Sequence, residues 1–305
     1  MKEGEDLMLS EKRIQELRDA GRRIRKRVLK LAIEKDGCYL SQALSAADIF
    51  ACLYLEIMNI TESKEPLIPR KLIGLPGDSN YHTGAGYNGE KGKQYDRLLI
   101  SPSHYAATVY STLAECGRLS DKALDEFNTD GSTLEMIGAE HSPGFELTTG
   151  SFGQCISQAA GIAYARKKKG DTGRVFVFLS DGELQEGQTW EAFQAMAFYK
   201  LDNMIVYVDV NGQQVDGATK DTMNIEPIDK RFEAFGSKVV IIDGHDHQEL
   251  CNAINYREKN RPLVILCYTD TCYGIKELEY RKPNLHYVRF KKEEMELFKK
   301  VYEKM

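Results

Sequence analysis

No Cys-X-X-Cys pair occurs in this chain of 305 residues, and its seven cysteines form an odd, scattered set. That spacing points to neither a disulfide framework nor a tetrahedral zinc site, and reduced thiols in a cytoplasm fit it best. A basic excess is missing too: 46 acidic residues outnumber 41 basic ones, where a general nucleic-acid binder carries a basic stripe. The stretch 1–32 is charged throughout and has no uninterrupted apolar run, so neither a signal peptide nor a membrane span is expected there. No internal repeat, low-complexity tract or Pro-rich linker divides the chain. With 42% hydrophobic residues it is long enough to bury a full core. The expectation is one soluble domain over 1–305, with no nucleic-acid or membrane partner.

What is present is an alternation of apolar strands and helices. Ile14, Leu17, Ile24, Val28 and Leu31 recur at helical spacing in an N-terminal helical segment (about 1–35), which leaves the intervening arginines and lysines as a solvated face. A second helix is expected over 44–58, then a Gly-, Lys- and Tyr-rich loop over 74–94, long enough to be functional or mobile. The sequence RLLIS reads as a short strand, HYAATVYSTLAECG as a helix closed by Gly117, and SDKALDEF as a helix capped by Ser120. The loop TTGSFGQ opens a helix whose basic end, Arg166 to Lys169, suits a helix C-terminus. Strands are then expected at 175–179, 204–210, 238–242 and 263–268, with helices at 186–199 and 247–258 between them. An amphipathic helix carrying Met295, Phe298, Val301 and Tyr302 follows at about 290–305, most simply as packing. Apolar strands without polar alternation, separated by helices, indicate an α/β fold: a parallel sheet with helices on both faces.

The stretch VFVFLSDGELQEGQTWEAF carries the chemistry. An Asp-Gly pair after a strand is usually only a turn. Here, however, a second strand, MIVYVDV, follows the helix and ends in NGQQVDG. In such a crossover the two strands run parallel, so both strand ends emerge at one carboxyl edge, where open α/β sheets bind ligands. The Asp181 carboxylate, the Asn211 side-chain carbonyl and a main-chain carbonyl near Gln213 then converge as oxygen ligands suited to Mg²⁺. The glycines let the backbone approach the ligand, and the helix opened by TTGSFGQ offers amides to a phosphate.

Asp-Gly followed after about thirty residues by Asn is similar to the thiamine diphosphate motif, and the chain from about Ile24 to His286 resembles the cofactor-binding half of transketolases, closest to the shorter chain of the split kind. The resemblance implies the diphosphate-binding domain, with thiamine diphosphate and Mg²⁺ as cofactors. Asp181, Asn211 and Gln213 match the metal ligands. His104 matches a histidine over the diphosphate, and His286 one that reaches diphosphate and substrate; both are candidate catalytic residues. Gly150, Gln154, Gly182, Glu183 and Asn211 fall at cofactor-binding positions, and Glu186 and Glu191 match glutamates that link two active sites across a dimer interface. The implied reaction transfers a two-carbon ketol unit from a ketose to an aldose acceptor, the substrates being sugars or sugar phosphates. No second α/β unit follows Leu266, so the resemblance implies a partner subunit carrying the pyrimidine-binding domain, in a heterotetramer of two plus two.

Three departures mark the chain. Cys38 or Tyr39 stands where the family has a sugar-contacting histidine, Ser180 replaces the first glycine of the metal motif, and Cys155 replaces a glycine in Gly-Gln-Gly, where it is expected to narrow the space by the cofactor loop. Together they point to an unusual ketose or acceptor. The adjacent His245, Asp246 and His247 resemble a metal cluster but read more simply as a helix start, Asp246 and Glu249 forming a capping box. His82 and His141 lie in loops that the sequence does not assign. Two rivals remain: the α chain of a 2-oxo-acid dehydrogenase, which shares the metal motif, and a degenerate, non-catalytic structural subunit.

Overall fold

The computed structural model describes residues 8–74 and 77–305; the first seven residues of the expected N-terminal helical segment and residues 75 and 76 of the long loop lie outside them. Five parallel strands form the sheet: β1 (Arg97–Ile100), β2 (Val175–Ser180), β3 (Met204–Val210), β6 (Lys238–Asp243) and β7 (Leu263–Tyr268), with β4 (Gln213–Gln214) and β5 (Gly217–Ala218) making a small separate hairpin. The strand order is β1-β2-β3-β7-β6. Helices α1 (Glu11–Glu34), α2 (Leu40–Ser45), α3 (Ala47–Cys52) and α4 (Ala106–Glu115) precede α5 (Gln154–Lys169) and α6 (Gly187–Phe198). Then come α7 (Thr219–Thr222), α8 (Ile228–Ala234), α9 (His247–Asn252) and α10 (Lys292–Lys304).

Every residue of β2 and β3 is buried, which is why both read as continuous apolar runs. Alternate side chains of these strands enter different cores. Phe176, Phe178, Ile205 and Tyr207 join the residues of α2, α3 and α4, while Val177, Leu179, Val206 and Val208 join Ile156, Phe193 and Phe232 from α5, α6 and α8. Period-two alternation therefore seats one helical layer on each face. The pairing of Ser180 with Asp209 puts the ends of β2 and β3 level, so the segments after them leave the sheet side by side.

The structure differs from the expected elements in several places. The helix expected at 44–58 is α2 and α3, broken at Ala46 and followed by a π-helical turn at Leu53–Ile57; the Ser45 hydroxyl at the break donates to Asp209, a tertiary bond that no local pattern shows. Asp121–Glu126 is a 3-10 turn, with Ser120 capping it as expected. The helix expected at 247–258 stops at Asn252 and continues as a 3-10 turn. Arg25 is not on a solvated face: it is buried and paired with Asp48 at 2.5 Å. Asp246 does cap α9, accepting from the Glu249 N–H, but Glu249 reaches back to the Asp243 N–H.

Candidate active site

The ends of β2 and β3 and the loops around them enclose a cleft of about 290 Å³, whose wall includes Tyr39, Gln42, Ser103, His104, Gly150, Phe152, Ser180, Asp181, Gly182, Gln213 and His286. Asp181 lies at its floor. Its Oδ1 accepts from the Gly182 N–H (2.9 Å), and Oδ2 accepts from the Gly212 N–H (2.9 Å) and the Thr219 hydroxyl (3.0 Å). The Gly212 bond draws the loop after β3 onto the end of β2, joining the two halves of the motif. Burial, then the neighbouring Asp209 charge, push the Asp181 carboxyl up to about 7.

Asn211 is held at both ends of its amide. Nδ2 donates to Asp209 Oδ2 (2.8 Å) and to the Tyr105 hydroxyl (3.1 Å), while Oδ1 accepts from the Gln213 N–H (3.0 Å) and keeps a second lone pair. The Gln213 side chain is engaged elsewhere, donating to Pro283 O and Gly217 O, so any role in holding a metal falls to its main chain. Ser180 takes φ −114° and ψ 160°, extended backbone that a serine adopts without strain.

The cleft wall opposite carries an aromatic cluster. Tyr39 meets His104 and His286 edge-on, at centroid distances of 5.2 and 5.3 Å, and the two imidazoles are 5.1 Å apart. Burial, then His286, lower the His104 imidazole to about 3, and burial lowers His286 to about 4; both rings are neutral at physiological pH. Gln42 Nε2 donates to His286 Nδ1, which leaves Nε2–H of that ring as the donor. Between Cys38 and Tyr39, the structure selects Tyr39. Cys38 forms a backbone bridge with Val288 and is buried, while the half-buried Tyr39 faces the cleft.

Gly150 has φ +103°, and a Cβ there would meet Ser103 Oγ at 2.4 Å, so this loop needs glycine to lie against the end of β1. The Glu183 carboxyl is not on the cleft wall. It is buried, accepting from the Gly153 N–H (2.8 Å) and the Ser101 hydroxyl, and burial pushes it up to about 7. Gln154 is exposed at the start of α5, outside the wall. Glu186 and Glu191 are exposed at the start of α6. Cys155, expected to narrow the cofactor loop, instead packs into the core with Leu99 and Ile156. His82 and His141 line a separate depression with room for about 20 Å³, one water. His245 and His247 surround the buried Arg25–Asp48 pair, and among the described residues no group of three or more His, Cys, Asp or Glu is arranged to hold a metal.

Sequence reasoning missed Ser103, Tyr105 and Asp209. Asp209 did have a signal, as a carboxylate within the apolar run MIVYVDV, where only a hydrogen-bonded charge is tolerated. Ser103 Oγ is buried beside the cleft without a hydrogen-bond partner. An orphan hydroxyl, a backbone loop at a helix start, a buried carboxylate and an amide oxygen with a free lone pair form a donor set that fits a diphosphate and a hard cation.

The fold and the strand-edge cleft fit a unit that holds a diphosphate and a hard cation. Residues 87–303 match the family described as "Transketolase, thiamine diphosphate binding domain". A transketolase family protein of Sinorhizobium fredii is 36% identical over 91% of this chain and 92% of its own length. One of the subunits of the apulose-4-phosphate transketolase of Actinobacillus succinogenes is 32% identical over 92% of this chain and 94% of its own length. Human transketolase is 30% identical over 88% of this chain but only 39% of its own length. The crystal structure of Campylobacter jejuni transketolase superposes with a TM-score of 0.74 at 23% identity, over 97% of this chain and 43% of that one. The chain belongs to the transketolase family. The family match and the relatives, several of them named as transketolase subunits, identify it as a transketolase-type N-terminal, thiamine diphosphate-binding chain, a transferase and not a 2-oxo-acid dehydrogenase α chain; it spans nearly the whole Actinobacillus protein and less than half of human transketolase.

Proposed function

We propose that this chain acts as one unit over 1–305, holds thiamine diphosphate and Mg²⁺ against a partner subunit that carries the pyrimidine-binding domain, and transfers a two-carbon ketol unit from a ketose to an aldose. The observation that carries this reading is the Gly212–Asp181 hydrogen bond at the cleft floor, which joins the two halves of the metal motif. Asp181, the Asn211 carbonyl and the Gln213 main chain would hold the cation. Ser103, His104, Gly150 and Gly182 would face the diphosphate. Glu183, buried behind the loop, would act by fixing the Gly153 amide at the start of α5, which Gln154 begins. When bound, the cofactor supplies the carbon nucleophile for cleaving and forming the carbon–carbon bond. Of this chain's residues, His104 and His286, both neutral, would exchange hydrogen bonds and protons with substrate oxygens, His286 through Nε2.

The substrate proposal rests on the relatives' names. They include an apulose-4-phosphate transketolase and a 6-deoxy-6-sulfo-D-fructose transketolase, and we extend from them to a ketose with a terminal anion. Among the described residues the cleft wall includes no lysine or arginine, so the cation that reads such an anion would come from the partner. Glu186 and Glu191 would lie where two copies meet in a two-plus-two heterotetramer. A cytoplasmic setting is in keeping with seven free thiols.

The test is co-purification. This chain co-expressed with the partner subunit should retain thiamine diphosphate and Mg²⁺, and Asp181→Ala should lose both together with ketol transfer. A stable complex that holds no cofactor even when it is supplied would instead favour a degenerate structural subunit.

A further inference from the structure

We propose that Asp209 is a positioning residue for the cation site, fixing which end of the Asn211 amide faces the metal. The inference rests on the metal reading above and adds to it a residue outside the three ligands.

An asparagine amide turned by half a revolution offers N–H where it offered oxygen, at nearly the same shape, so something must select the orientation. Asp209 does so from inside the sheet. It is fully buried in β3, and its Oδ2 accepts from Asn211 Nδ2 (2.8 Å), the Tyr105 hydroxyl (2.8 Å) and the Ser45 hydroxyl (2.6 Å), while Oδ1 accepts from the Thr269 hydroxyl (2.5 Å). A carboxylate only accepts, so it takes the NH₂ end and repels the carbonyl end. The Gln213 N–H, which only donates, takes Asn211 Oδ1 at 3.0 Å. Turning the amide would set oxygen against carboxylate and N–H against N–H, breaking both contacts at once. Tyr105 reinforces the lock, since its hydroxyl accepts from Asn211 Nδ2 (3.1 Å) while donating to Asp209. Thr269 bonds the other carboxylate oxygen, and its hydroxyl makes no hydrogen bond to the Asn211 amide, which separates a role in orienting that amide from a role in holding Asp209.

The experiment uses the two-subunit complex with thiamine diphosphate present and Mn²⁺ as the probe, free Mn²⁺ being followed by electron paramagnetic resonance. Asp209→Asn should weaken Mn²⁺ binding about tenfold, because an amide at 209 satisfies either orientation of Asn211. Tyr105→Phe should weaken it about threefold, and Thr269→Val should leave it within twofold of wild type although its thermal stability falls. The proposal is overturned if Asp209→Asn binds within twofold of wild type, or if Thr269→Val weakens binding as much. Should Asp209→Asn fail to assemble, Tyr105→Phe against Thr269→Val decides by the same criterion. Asp181→Ala separates the two levels: unchanged Mn²⁺ binding there removes the metal reading itself, whereas loss there with none in Asp209→Asn removes only the role of Asp209.

Discussion

At the scale of single residues, the site combines carboxyls held above their usual range with imidazoles held below it. Asp181, raised to about 7 against about 4 for an unfolded Asp, keeps its proton in the metal-free fold where an unfolded chain has lost it. Its contribution to stability is therefore present in acid and is lost as the pH rises from about 4 through 7. A cation must displace that proton, so the affinity of the complex for Mg²⁺ should fall about tenfold per pH unit below 7 and level off above it, as calorimetric titration at several pH values would show. The histidines run the opposite way. His104 and His286 remain neutral in the fold, whereas the unfolded chain protonates below about 6.5, so acidification from 6.5 toward 4 withdraws their stability. Their ring proton resonances should stay in place between pH 8 and 5. Tyr39 offers the cleft a phenol where the family has an imidazole. Tyr39→Phe should raise the ketose KM by up to about tenfold, the loss of one hydrogen bond, with thiamine diphosphate retention unchanged.

Elements decide whether those residues meet. Phe178 in β2 packs against Phe50 of α3 and against Tyr105, with centroids 4.7 and 5.0 Å apart, and Tyr105 in turn touches Asp209 and Asn211. Phe178→Ala should cost about 3–5 kcal/mol in denaturant unfolding and also weaken cofactor retention; a stability loss with retention unchanged would show that the core and the site are uncoupled. This scale also explains what was legible in the sequence. The parallel sheet and the meeting of Asp181 and Asn211 at one sheet edge were readable because each strand carries its own apolar run and the crossover fixes which ends align. The break at Ala46, the burial of Arg25 with Asp48 and the choice of Tyr39 over Cys38 were not. Each depends on a contact between distant segments: Ser45 with Asp209, α1 with α3, and residue 38 with residue 288. Glu183 is an intermediate case, since its place next to the motif was plain but its turn inward to the Gly153 amide was not.

On the whole-molecule scale, α5 and α6 present an unusual surface. Phe198 is 76% exposed, Tyr199 50% and Tyr164 39%, with Tyr199 in ring contact with both of the others. Glu191 and Phe198 are seven residues apart, so they share one stripe of α6 with Gln194 between them. Exposed aromatics in line with Glu191 fit the proposed assembly face, because aromatic anchors dominate interface energetics. Phe198→Asp should shift the complex toward separate subunits in sedimentation velocity while leaving the isolated chain's thermal midpoint within a few degrees.

The backbone bridge between Cys38 and Val288 also sets an order of events in the cell. Tyr39 and Gln42 are made about 240 residues before His286, so this part of the cleft wall cannot assemble until the ribosome has passed residue 288. A nascent chain that has not reached it can hold the Asp181 and Asn211 end of the cleft yet lacks His286 and the bridge that seats residue 38 beside it, so the site closes in two stages.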